Sequence, residues 1–127
     1  VQVYECRPAG GGEALWTFGA PEARLFDASG RPMGDHGAGP SWTALDGSRI
    51  GGRVVARADA PSKADIPWLL LETVSEGGPG SFASITRVQR VATQGGLAPE
   101  GPCIAGHTQR VPYRADYRLF RPAGATS

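Results

Sequence analysis

Apolar and polar positions alternate with a period of two along most of this chain, in runs too short for helices. In Val1 to Arg7, Val1 and Val3 oppose Tyr4 and Cys6, a strand pattern that Gly10-Gly11-Gly12 ends. Ala14 to Phe18 repeats it, Pro21 and Glu22 make a turn before a strand over Ala23 to Asp27, and Ser29-Gly30 signals a hairpin into a short strand around Met33. Asp46-Gly47 is a two-residue hairpin signal joining Trp42 to Leu45 with Ile50 to Arg57. In that second arm Ile50, Gly52, Val54 and Ala56 share a core face and Arg49, Arg53 and Arg57 a wet one.

After a polar loop over Ala58 to Asp65, the run Ile66 to Val74 is apolar on both faces, as in a central strand covered on both sides. A helix is the competing reading, but the run is short and Gly77-Gly78-Pro79-Gly80 cuts it off. Phe82 to Thr93 is rich in β-branched residues and changes parity between Ile85 and Val88, which predicts a bulge there. Gln94 to Pro102 reads as a loop. Val111, Tyr113, Ala115, Tyr117 and Leu119 then alternate with polar residues and Pro112, one strand with one wet face. Eight or nine short antiparallel strands predict an all-β single domain, a sandwich or closed barrel, over residues 1–121, with 122–127 a frayed tail.

Composition supports that reading. The 19 Gly and 11 Pro make about a quarter of the 127 residues turn-formers, against a usual ~12%. A net charge of +1 provides no field to draw nucleic acid or an anionic membrane. The longest apolar run, Trp68 to Leu71, is far short of the ~20 residues of a membrane span. No signal-peptide pattern opens the chain, and Val1 stands first, as in a mature or trimmed form.

The two cysteines, Cys6 and Cys103, lie near opposite ends without CxxC or His-rich spacing. A disulfide between them is the natural reading, with two buried free thiols as the alternative. A disulfide implies the periplasm or the outside of a cell.

The segment Asp35 to Ser48 concentrates chemistry: a histidine, an indole, two carboxylates and several Gly and Pro breaks. Its glycines, and those elsewhere, match neither GxGxxG nor GxxxxGK[ST], and GxSxG is absent. His36 and His107, the only two histidines, would form a two-histidine, one-carboxylate metal site with Asp35, Asp46 or Asp116 if the fold joined them. A metal ion is the one cofactor this set suggests; otherwise each imidazole meets a loop carbonyl or solvent. His36 with Asp35 or Asp46 also resembles an acid-base pair, without an identifiable nucleophile or oxyanion donor. Trp42, flanked by Gly39-Pro40-Ser41, is the best candidate for an exposed aromatic that stacks on a sugar ring or a protein partner, whereas Trp68 and the tyrosines read as core. Ser48 sits in the hairpin, where a turn bond explains it.

Read in order, H-x-x-G-P-x-W at His36 to Trp42, D-G-S at Asp46 to Ser48, I-P-W-L-L-L at Ile66 to Leu71, Q-R-V-x-T-x-G-G at Gln89 to Gly96 and V-P-Y-x-A-D-Y at Val111 to Tyr117 resemble the family called domain of unknown function 3455. The resemblance covers nearly all of the chain. Met33 and Gly37 stand where the family pattern has Val and an aromatic, which affects the packing around His36. The resemblance implies a secreted protein of bacterial or fungal type, supports the Cys6 to Cys103 pairing, and brings no established activity. Names implying a dehydrogenase attach to similar sequences; the missing dinucleotide fingerprint argues against that chemistry here. The expectation is a secreted or envelope-associated domain that binds a glycan or protein, or self-assembles, around His36, Trp42, Asp46 and Ser48. The alternative is a metal-binding protein or enzyme centred on His36, Asp46 and His107.

Overall fold

A computed structural model describes residues 1–123. Among these the chain forms ten strands and no helix. The strands are β1 Gln2–Pro8, β2 Ala14–Pro21, β3 Ala23–Phe26, β4 Pro32–Gly37, β5 Ser41–Ala44, β6 Arg49–Ala58, β7 Trp68–Gly77, β8 Arg87–Gly95, β9 Thr108–Val111 and β10 Tyr113–Phe120. They pair antiparallel in two sheets, one of order β2-β1-β9 and one of order β10-β8-β7-β6-β5-β4-β3. The seven-stranded sheet curls into a half-barrel.

The two sheets share their boundaries. Glu22 alone separates β2 from β3, and Pro112 alone separates β9 from β10. Proline has no N–H to give a ladder, so the chain leaves one sheet at Pro112 and joins the other. The single C-terminal strand expected from the alternation is therefore two strands, although the alternation itself holds from Tyr113 to Phe120. β1 lies between β2 and β9, with Gln2 opposite both Pro21 and Val111.

The core lies inside the curl. Trp42, Ile50, Leu71, Phe82 and Val88 form its centre, joined by Leu25 and Ala44. Ile66 to Val74 is strand, not helix, beginning at Trp68. It is covered on one face rather than two: Leu71 and Thr73 are buried, whereas Glu72 is exposed and Val74 is 68% exposed. The second half of β6 also departs from expectation. Val54 pairs with Leu71 and Ala56 with Leu70, so Val55 is an extra residue, and everything from Arg53 to Ala58 is exposed. The strand there runs past the core.

No bulge lies between Ile85 and Val88. Phe82 to Ile85 form turns, with Ala83 N–H donating to Gly80 and Ile85 N–H to Phe82, so the parity change marks the end of a turn. The bulge in β8 comes later, where Ala92 adopts φ 51° between the pairs Val91–Asp116 and Gln94–Arg114. The hairpin at Asp46-Gly47 has a three-residue loop: Ala44 N–H donates to Ser48 C=O, and Gly47 takes φ 89°, which glycine adopts without strain.

Cys6 and Cys103 are joined by a disulfide, tying buried Cys6 of β1 to the segment before β9. No helix among the described residues is long and apolar enough to cross a membrane. Of the expected tail, residues 124–127 lie outside the described residues.

Candidate functional site

Trp42 is 1% exposed, which overturns its assignment as an exposed stacking residue. The Gly39-Pro40-Ser41 turn delivers the chain to β5, where Trp42 stands opposite His36 of β4 and Ile50 of β6 on the inward face. Gly52 of β6 provides room: a Cβ there would come within 3.0 Å of the Trp42 ring. A four-residue strand is too short for its inward parity to show in sequence.

His36 is buried with it. Its imidazole stacks on the indole, centroids 4.5 Å apart and planes 14° from parallel. Its Nδ1 lies 2.8 Å from the Ser41 carbonyl, an acceptor only, which assigns the hydrogen to Nδ1. Tyr117 of β10 closes the group, tilted against His36 at 5.0 Å and edge-on to Trp42 at 6.1 Å. β10 and β4 lie far apart in sheet order, so this contact is made across the curl. Tyr117 and Tyr113, both facing inward, share a hydroxyl hydrogen bond of 2.8 Å.

Burial governs the protonation of this stack. It pushes the His36 pKa down to about 4, against a smaller opposing effect of the Ser41 carbonyl, with the Arg90 charge adding to the lowering. It raises the Tyr117 hydroxyl, helped by Tyr113. Arg90 is itself buried and donates through Nε and Nη2 to the Pro67 carbonyl, at 3.1 and 2.8 Å.

A neutral imidazole in the fold and an ordinary one in the unfolded chain make stability pH-dependent. The unfolded state binds the extra proton as pH falls below about 6.5, so the contribution is complete above that value and disappears as pH falls toward 4. Chemical denaturation should show about 2 kcal/mol less stability at pH 5 than at pH 8. His36→Phe should remove most of the difference; an equal loss in that variant would refute the assignment.

The other sequence candidates lie elsewhere. Asp46 is exposed at its hairpin, where Oδ1 accepts from the Ser48 N–H (3.0 Å) and hydroxyl (2.6 Å), and Oδ2 from the Ser81 N–H (2.8 Å). The Ser48 hydroxyl bond, then the Ser81 N–H, hold its carboxyl well below the usual range. Ser48 is fully buried, and its hydroxyl also accepts from Phe82 N–H at 3.1 Å. Asp46 and Ser48 thus fasten the β5–β6 hairpin to the β7–β8 connection. His107 is exposed in the turn before β9, its carbonyl accepting from Cys6 N–H. Among the described residues no three of His, Cys, Asp and Glu gather as metal ligands.

Residues 1–121 match the family described as Protein of unknown function (DUF3455). The chain belongs to that family. No curated protein and no solved structure matches it.

One large cavity of this DUF3455 protein is one the sequence reading missed. A groove of about 1010 Å³ runs along the seam between β3 and β10, the two outer strands of the curled sheet. Leu25, Phe82, Tyr117 and Leu119 line its inner side. Tyr117 is thus both wall of the groove and lid of the His36–Trp42 stack. A smaller cleft of about 550 Å³ overlies Gly51 and Gly52 on the sheet; there Arg53 pairs with Glu72 at 3.1 Å and Glu76 with Arg49 at 3.2 Å, and Arg87 also lines it. Pro112 inside an otherwise regular strand pattern is the sequence signal that could have located the seam, since proline in a strand marks an edge or a change of sheet.

Proposed function

We propose that this protein is a secreted or envelope-associated binding domain whose ligand lies in the groove between β3 and β10. The observation that carries this reading is the open seam itself. Two strand edges flank a cavity of about 1010 Å³ lined by Tyr117, the ring that covers the His36–Trp42 stack. Concave sites with apolar floors and a few polar rims are the usual form of ligand sites. The polar side-chain atoms of Asp46 and Ser48, and Nδ1 of His36, already hold structural hydrogen bonds, which favours binding over chemistry at those residues. The disulfide favours an oxidising compartment.

Screening against a glycan array and a phage-displayed octapeptide library tests the reading. A ligand recovered from either should bind at least tenfold more weakly to Ala23→Trp and to Gln94→Trp, which place an indole at the groove from opposite walls. Thermal melting should show both variants folded; Gln94 is exposed and tolerates the change more readily. Ligands that bind both variants as they bind the parent, or no ligand from either source, would overturn it.

A further inference from the structure

We infer that this protein forms a two-fold dimer in which β2 pairs antiparallel with β2 of a second copy, over residues 14–18. The observation that carries the inference is an unprotected strand edge. Among the described residues β2 pairs with β1 alone, and its other edge makes no backbone hydrogen bond. Exposed edges are ordinarily protected by charge, short length, proline or a bulge. The other outer strands of the two sheets follow that rule: β9 has four residues and Arg110, β3 has four residues and Arg24, and β10 carries Arg114, Asp116 and Arg118. β2 has eight residues and no charged side chain, with Leu15 56% and Phe18 47% exposed. Its protection is confined to its far end, where Gly19 is the extra residue between the pairs Val3–Ala20 and Tyr4–Phe18 and where Pro21 closes the strand.

Register and charge specify a second copy as the occupant. A two-fold axis normal to a sheet keeps every side chain on its own face, so the pairing must centre on one residue. Residues 14–18 centre on Trp16. Trp16 then meets Trp16 of the second copy, Leu15 meets Thr17, and Ala14 meets Phe18. On the outer face Arg7 stands opposite Leu15 and Glu5 opposite Thr17. Each row across the dimer therefore runs from Arg7 through Leu15 to Thr17 and Glu5 of the second copy, with an arginine at one end and a glutamate at the other. Within one chain these two charges pair at 3.1 Å and both remain exposed, available to the approaching copy. Centring on Thr17 would draw the Gly19 bulge into the ladder and place a Glu5 at both ends of one row.

The inward face gains apolar contact. Tyr4 and Cys6 are buried, and Phe18 and Trp16 stand opposite them on the same face, Phe18 edge-on to Tyr4 with ring centroids 5.7 Å apart. Across the two-fold axis the two Trp16 side chains become direct neighbours, and each Phe18 lies diagonal to Trp16 of the other copy, both arrangements that stabilise antiparallel pairs. The product is one six-stranded sheet of order β9-β1-β2-β2-β1-β9. It uses the edge of β2 that faces away from β1, so it is independent of the groove between β3 and β10.

Sedimentation of the oxidised protein should show a dimer at about 100 μM. Leu15→Lys/Thr17→Lys sets lysine against lysine twice across the axis and should weaken dimerisation roughly tenfold or more, whereas Leu15→Lys/Thr17→Glu sets lysine against glutamate twice and should return it to within about threefold of the parent. Thermal melting should show both variants folded, since Leu15 is exposed and Thr17 half-buried. Amide exchange of the parent needs no variant: residues 14–18 should exchange more slowly at about 100 μM than at about 1 μM. A parent that stays monomeric, a dimer that the double-lysine variant leaves intact, or one that the lysine and glutamate variant does not restore would each overturn the inference, as would exchange over residues 14–18 that is independent of concentration.

Discussion

Reduction of the Cys6–Cys103 disulfide should lower the unfolding free energy by about 4 to 5 kcal/mol. The two residues are 97 apart in sequence, so the bond closes most of the described chain into one loop. Removing it restores the freedom of that loop to the unfolded state. The folded state keeps its other connections at the same place: Cys6 N–H donates to His107 C=O at 2.8 Å, Gly106 N–H donates to Cys6 C=O at 2.9 Å, and β1 remains paired with both neighbours. Lost stability with little change of fold is therefore expected. Against a typical total of about 5 to 15 kcal/mol, the reduced protein would be marginal. Urea melts of the oxidised protein and of Cys6→Ala/Cys103→Ala measure this, and alanine is preferred because serine would bury a hydroxyl at Cys6, which is 1% exposed. A difference below about 1 kcal/mol would show that the long loop is already restricted in the unfolded chain.

The same ends of the chain show what sequence could and could not reveal. Alternation over Tyr113 to Phe120 and the turn signals at Ser29-Gly30 and Asp46-Gly47 are local, and the strands and hairpins they predict are present. The all-β class followed from them. The pairing of β1 with β9 joins residues about a hundred positions apart, and nothing in either segment names its partner. The groove depends on that pairing and on the count of strands in the curl, so no single motif announces it. Parity failed where elements were short or interrupted. Four residues of β5 concealed the inward face of Trp42, and turns at Phe82 to Ile85 imitated a bulge. The segment Asp35 to Ser48 was rightly conspicuous, for reasons of packing: it provides the stacked pair under the groove and the Asp46–Ser48 clamp.

Trp42→Ala should destabilise the protein by about 3 to 5 kcal/mol, the range for truncating a large buried aromatic. Trp42 is the largest fully buried side chain, held among Ile50, Leu71 and Val88 and stacked on His36. Its Nε1 has no hydrogen-bond partner, so the indole contributes through contact area and stacking rather than through its polar handle. Alanine would leave a void beside His36 and Tyr117, on the groove side of the core. Water admitted there would rehydrate the imidazole and return its pKa toward the ordinary value, because burial is the main cause of its lowering. The variant should then lose much of the stability difference between pH 8 and pH 5 as well as stability itself. Trp42→Phe, which keeps an aromatic face against His36, should cost less and retain more of the pH dependence. Urea melts of the three proteins at both pH values separate these outcomes. A surface residue would give a loss within about 0.5 kcal/mol and an unchanged pH profile, and that result would remove the buried stack behind Tyr117.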